Sequence, residues 1–203
     1  MYTINQDTTA EIIEKKSKFI AHTFYIETKE EAEEIISKTK KQYFDARHNV
    51  YAYRLIESSK SSDDGEPSGT AGAPILNILE SQNIVNTLVV VTRYFGGILL
   101  GTGGLVRAYT EATTKALQQS NIIQIVPGYL IKLDLEYNQI DNLIYYCKQN
   151  NINIIKTEYL SKIELLLEID KDKLEDFKLN TPKINNNLPT YAILKEINIK
   201  KIS

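Results

Sequence analysis

Apolar and polar positions alternate with a period of two along some stretches of this chain and with a helical period along others. Residues 17–26, SKFIAHTFYI, predict a strand, with a second one before it near 8–14. Thr28 and Glu31 have the spacing of a capping box, and Ala32, Ile35, Ile36 and Tyr43 continue a helical face from it. Residues 47–56, RHNVYAYRLI, predict a strand, followed by a loop over 57–69. Pro74 fits the first turn of a helix running to about 82. Residues 86–94, NTLVVVTRY, are a continuous β-branched run, the pattern of a strand covered on both faces. A glycine-rich connection, FGGILLGTGG, leads to a helix over 104–119.

Beyond Pro127-Gly128 the pattern changes. Residues 129–137 alternate as a strand, and Asn138 is placed to cap a helix with Ile140, Leu143, Ile144 and Cys147 inward. Strands follow at 152–160 and 162–169, a short helix at 171–179 that stops before Pro182, an Asn185-Asn186-Asn187 turn, and a last strand at 190–200. The order is βαββαβ, a ferredoxin-like split βαβ. The fold class is α+β, with domains at 1–127 and 129–203.

Composition sharpens this division. Eight of the nine glycines lie in 65–104, and all four arginines, Arg47, Arg54, Arg93 and Arg107, lie in 47–107. The chain otherwise uses Lys for positive charge, so this clustering points to sites that need a planar, bidentate cation. Net charge is −2, which gives no global attraction to nucleic acid and leaves only a local patch. The lone Cys147 permits no intrachain disulfide, and no apolar run reaches the ~18 residues of a membrane span. The chain therefore reads as cytoplasmic, with no membrane contact.

Candidate chemistry gathers in three pieces: ARHNVYAYR at 46–54, SDDGEPSGTAGAP at 62–74 and TRYFGGILLGTGGLVRAY at 92–109. Small residues at a helix start let backbone N–H groups approach an anion. The candidate anion-binding set is Arg47, His48, Arg54, Gly69, Thr70, Ala71, Gly72, Arg93, Tyr94, Gly96, Gly97, Gly101, Gly103, Gly104 and Arg107. Arg107 sits in a first helical turn, where a bound anion would offset the unfavourable dipole; an i,i+4 pair with Glu111 is the other reading. No P-loop Lys follows the glycines, and Gly101-Thr102-Gly103-Gly104 lacks the third glycine of a dinucleotide fingerprint.

Asp63, Asp64 and Glu66 admit three readings. They ligate Mg²⁺, or work as acid and base with His48, or hold Arg54 and Arg93 and cap the next helix. The third explains acids beside an anion-binding loop, and under it no metal or cofactor is needed.

These motifs, with KSKFIA at 16–21, resemble the YigZ/IMPACT family, over nearly the whole first domain. The resemblance implies that this domain is like domain IV of elongation factor G, with a left-handed, ribosomal-protein-like βαβ crossover. It implies that the second is like domain V of the same factor. Many bacterial members carry Cys where this chain has Val50, so no thiol mechanism is carried over. Eukaryotic relatives restrain a starvation-responsive kinase through an extra RWD domain, and that activity is not carried over either.

The expectation for function is a non-enzymatic RNA- or ribosome-binding protein linked to translation. The four arginines and the loop amides would contact phosphates, Tyr94 and Phe95 would stack on bases, and Lys15, Lys16 and Lys18 would extend the patch. The alternative is an enzyme acting on a phosphorylated small molecule, with Asp63, Asp64, Glu66 and His48 as its polar centre.

Overall fold

The β-branched run becomes the middle strand of a five-stranded sheet in the computed structural model, which describes residues 1–185 and 190–201. Packing divides the chain into two units, Met1–Gln124 and Ile125–Ser203.

The first unit contains β1 (Tyr2–Ile4), β2 (Thr8–Glu14), β3 (Ser17–Tyr25), α1 (Lys29–Gln42), β4 (His48–Arg54), β5 (Ser59–Ser62), α2 (Gly72–Ser81), β6 (Thr87–Tyr94) and α3 (Gly101–Gln119). The sheet order is β2-β3-β6-β4-β5. Both β3 and β4 run antiparallel to β6, so they are parallel to each other, joined by α1 with β6 inserted between them.

Both faces of β6 are covered. Leu88 and Val90 join Ile26, Tyr53 and the α1 residues Ala32 and Ile36. Val89 and Val91 join Val50, Ala52, Ile75 of α2 and Ala108 and Ala112 of α3 on the other side. That two-sided burial is why the strand shows no alternation. The capping box on α1 forms as the spacing predicts: Glu31 N–H donates to Thr28 Oγ1 at 3.1 Å, and Thr28 N–H to Glu31 Oε2 at 3.2 Å.

The β2–β3 hairpin turns on Lys15 and Lys16 alone, with φ of 45° and 65°. Two positive φ values make this the turn type that favours Asn-Gly, so two lysines hold it under strain. Gly96 packs against its backbone. A Cβ there would lie 2.0 Å from the Lys16 carbonyl carbon, so only glycine fits.

The second unit begins within β7 (Ile122–Leu135), a strand that runs through Pro127. Its remaining elements are α4 (Ile140–Gln149), β8 (Asn153–Tyr159), β9 (Ile163–Asp170), α5 (Leu174–Asn185) and β10 (Thr190–Lys201). The strand order β10-β7-β9-β8 is the ferredoxin-like arrangement. Ile131, Leu133 and Leu135 face Leu143 and Cys147 of α4 and Phe177 of α5. Burial pushes the Cys147 thiol up to about 11.

Four local expectations change. Asn138 does not cap α4; Glu136 and Gln139 form the capping box around a short 3₁₀ turn, Tyr137–Gln139. The α5 helix continues past Pro182 to Asn185, held by the buried Phe177 and Thr181. Ser59–Ser62, expected as loop, is a polar edge strand paired with β4. The α3 helix starts at Gly101, one turn earlier than its apolar periodicity. The turn expected at Asn185-Asn186-Asn187 lies mostly outside the described residues.

Residues 129–203, produced alone, are expected to unfold in one cooperative thermal transition, because the core of α4, α5 and the sheet is built entirely from that segment. A non-cooperative melt would show that the C-terminal segment does not fold by itself.

Candidate functional site

The acidic loop is used internally, and each acid has a different task. Asp63 Oδ1 accepts from the Ala71 and Gly72 amides at 3.0 and 2.8 Å, and Oδ2 from Gly69 at 2.9 Å. It is the anion that fills the amide-rich start of α2. Burial raises its pKa, but the amides of Gly69, Gly72 and Ala71 outweigh that and hold it below the usual carboxylate range. Thr70 N–H and its hydroxyl both donate to the Pro67 carbonyl. The expectation that 69–72 offer amides to an outside anion therefore fails, since Asp63 and Pro67 already take them.

Asp64 ties β4 to α1. Its Oδ2 accepts from Asn49 N–H at 2.7 Å, its Oδ1 pairs with Lys40 Nζ at 2.5 Å, and its carbonyl oxygen lies 2.8 Å from His48 Nδ1. Asp64 adopts φ 45° and Gly65 φ 87°, which turn the chain sharply enough for one residue to reach all three partners.

Glu66 is buried, and its Oε1 accepts from Arg93 Nη1 at 2.6 Å and from Tyr109 Oη at 2.9 Å. Burial, then the Glu66 carboxylate, keeps the Tyr109 phenol protonated far above its ordinary range. Arg93 also donates to Ser17 Oγ at 3.4 Å and lies between Phe19 and Phe95, 5.3 and 5.6 Å from their ring centres. Its Nε is a buried N–H with no partner among the described residues.

Arg54 goes elsewhere. It donates to the carbonyls of Leu79 and Ile84 and to Asn83 Oδ1, at the C-terminal end of α2, where a cation is favoured by the helix dipole. No acid holds it. Tyr94 donates to Asp45 Oδ1 at 2.9 Å and is not part of the cleft described next.

That cleft, of about 410 Å³, is lined by Arg47, His48, Glu66, Arg93, Phe95, Leu99, Leu100, Gly101, Thr102 and Leu105, among others. Arg47 lies over the Phe95 ring at 5.4 Å. The α3 helix begins here, and its N-cap, Leu100, supplies no side-chain hydrogen bond. Among the described residues no side chain caps the first-turn N–H groups of α3, whereas Asp63 takes the Ala71 and Gly72 amides at the start of α2. Gly101 takes φ 72°, and Gly97 φ 83°. Gly96 N–H donates to Ser17 Oγ at 3.2 Å. Gly103 is exposed near the Arg107 guanidinium, and Gly104 packs on Leu100. Arg107 is exposed and forms no ion pair with Glu111 or any other described residue.

Residues not singled out for the site include Ser17, Tyr109 and the leucines at 99, 100 and 105. The available signal was Tyr109 on an otherwise apolar helix face, because a buried phenol needs a partner. Among the described residues no group of three or more His, Cys, Asp or Glu is placed to hold a metal ion, and no helix is long and apolar enough to cross a membrane.

The Asp63 geometry fixes a pH dependence. Its folded pKa lies below the unfolded one, so its stabilisation is complete above about pH 4 and is lost as pH falls through the folded value. Asp63→Asn is expected to lower the melting temperature at pH 7 and to flatten the acid limb of a melting-temperature profile from pH 7 to 2. Parallel profiles for the two proteins would contradict that assignment.

Similarity to known proteins follows the same division. A family model described as the Impact N-terminal domain matches residues 15–117, and a domain of unknown function (DUF1949) matches residues 133–179. IMPACT family member YvyE of Bacillus subtilis is 34% identical over 179 residues, covering 87% of this chain and 82% of its own. IMPACT family member YigZ of Escherichia coli is 34% identical over 168 residues, covering 80% and 82%. A crystal structure of a hypothetical protein superposes with a TM-score of 0.63 at 30% identity, over 96% of this chain and 97% of the other.

Proposed function

The chain belongs to the IMPACT family, and from that premise we propose that it is a non-enzymatic RNA-binding protein with a translation-linked regulatory role, its phosphate contacts gathered at the start of α3. The observation that carries this is the coincidence, in one cleft, of an uncapped helix N-terminus, the Arg47 guanidinium and the Phe95 ring. Open N–H groups and a positive dipole end suit a phosphate, and a half-exposed aromatic suits a base. Arg107 and the exposed Lys15-Lys16 turn add cations around it without acidic partners among the described residues.

Of the four arginines, Arg54 and Arg93 serve the fold, which leaves Arg47 and Arg107 as contacts. Each contact to single-stranded RNA contributes a slope of about −0.7 in log K against log salt, so two give about −1.4. Anisotropy of a labelled single-stranded RNA in rising salt is expected to return that slope. Arg47→Ala and Arg107→Ala should each remove about 0.7 of it. Salt-independent binding, or no binding at low salt, would overturn the reading.

The enzymatic alternative has less to work with. Asp63 is committed to three amides, the Asp64 carboxylate to Asn49 and Lys40, and one oxygen of Glu66 to Arg93 and Tyr109. Only Glu66 Oε2 keeps no hydrogen-bond partner among the described residues.

A further inference from the structure

Two hydrogen-bond acceptors in the cleft are left without donors. His48 Nδ1 lies 2.8 Å from the Asp64 carbonyl oxygen, which only accepts, so Nδ1 carries the proton. In that tautomer Nε2 is an acceptor. Glu66 spends Oε1 on Arg93 and Tyr109, while Oε2 makes no hydrogen bond among the described residues. Oε2 and His48 Nε2 are 3.8 Å apart, too far to bond each other. The Glu66 side chain is buried, 4% exposed, and that of His48 is partly buried, 13% exposed. Neither atom has a hydrogen-bond partner among the described residues, so both are open to a donor that enters the cleft.

The cleft is polarised in depth. Glu66 and Arg93 form its floor, while Gly101, Thr102 and Leu99 are exposed at its rim. Donors that suit an anion, the α3 amides and Arg47, therefore lie toward the rim, and the acceptors lie at the floor. Phe95, Leu100 and Leu105 supply apolar wall. A volume of about 410 Å³ is near the low end of the ~300–1,000 Å³ of small-molecule sites, room for one nucleotide and not a run of them.

We infer that the cleft takes a single nucleoside 5′-phosphate, phosphate outward, whose ribose 2′- and 3′-hydroxyls donate to Glu66 Oε2 and His48 Nε2. Carboxylates elsewhere bind ribose hydroxyls in the same way. With the phosphate at the rim, a strand leaves the cleft on its 5′ side and ends inside it. The same chemistry is therefore offered by a free nucleoside monophosphate or by the 3′ end of an RNA. A 3′-phosphate is excluded, because it would bring a second anion against Glu66. The inference rests on the RNA-binding reading for its second source only.

The test uses the unmodified protein and changes the ligand. A 5′-labelled RNA dodecamer is titrated with three ends: ribose, 2′,3′-dideoxyribose and 3′-phosphate. AMP and 2′,3′-dideoxy-AMP are titrated in parallel by calorimetry. The ribose end is expected to bind at least about tenfold more tightly than the other two, the loss of hydrogen bonds to a charged acceptor. His48→Gln should narrow that ratio while the protein stays folded.

Equal affinity for the three RNA ends, with equal affinity for the two nucleotides, overturns the inference and leaves RNA binding standing. Discrimination between the nucleotides without any RNA binding supports the inference and overturns the RNA reading. Discrimination between the RNA ends, with AMP unable to compete, supports the inference and assigns the site to RNA. Absence of binding by every ligand overturns both.

Discussion

Replacing Arg93 with alanine is expected to lower the melting temperature by roughly 10–20 °C, the result of a loss of about 3–5 kcal/mol in a unit of this size. The side chains of Arg93 and Glu66 are 6% and 4% exposed, so the variant leaves a carboxylate in the interior with one hydrogen bond from Tyr109. Glu66→Ala should be similarly damaging, because it leaves the guanidinium between two aromatic rings without a counter-charge. The pair itself contributes far less than its removal suggests, since burying both charges cost desolvation when the fold formed. Arg93→Met combined with Glu66→Leu should therefore be less destabilised than either alanine variant. Thermal melts of the four proteins measure this. A fall of only a few degrees for Arg93→Ala would mean that the pair is solvated in solution.

Gly96→Ala is expected to cost about 3 kcal/mol or more and to weaken RNA binding at the same time. The added methyl would meet the Lys16 carbonyl carbon at 2.0 Å, its oxygen at 2.1 Å and the Ser17 nitrogen at 2.4 Å. Those are backbone atoms in a hairpin turn, so no rotamer change relieves the contact. Relief must come from moving the segment that carries Phe95 and leads into α3. Gly97→Ala is the control: it has φ 83° but open space around it, so only the backbone term of about 1 kcal/mol applies. Urea unfolding and RNA affinity should separate the two, with Gly97→Ala close to wild type in both. If Gly96→Ala binds RNA normally, the 95–100 segment is not what positions the site.

Strand and helix periods were legible in this chain wherever one or both faces are buried. The β6 run and the alternation of β7 and β9 read directly, because burial dictates residue type there. The Ser59–Ser62 strand did not read, since SKSS has no apolar face and is held only by backbone pairing with β4. The start of α3 was hidden for a related reason: Gly101, Thr102 and Gly103 are exposed and leave no periodic trace.

The polar residues were harder. Sequence places acids, arginines and glycines in one neighbourhood but does not say which acid meets which donor. Glu66 reaches Arg93 across 27 positions and Tyr109 across 43, a pairing that only the register of β3, β4 and β6 decides. Arg54 lies at the opposite end of β4 from His48, across from Thr87, and is captured by the end of α2 instead. The two glycine-rich stretches looked alike as anion sites. What separates them is Asp63, placed by a tight turn onto one and absent from the other.

Cys147 is the sole cysteine and lies almost wholly buried, with its thiol raised to about 11. At neutral pH it is protonated and shielded, so maleimide and iodoacetamide reagents meet essentially no nucleophile on this protein. Any thiol introduced on the surface is therefore chemically unique without first removing the native one. Leu99, 83% exposed on the cleft rim, is the natural position. A dye attached through Leu99→Cys would report an occupant arriving at the rim from an otherwise unaltered molecule, and the core of the second unit would stay unlabelled.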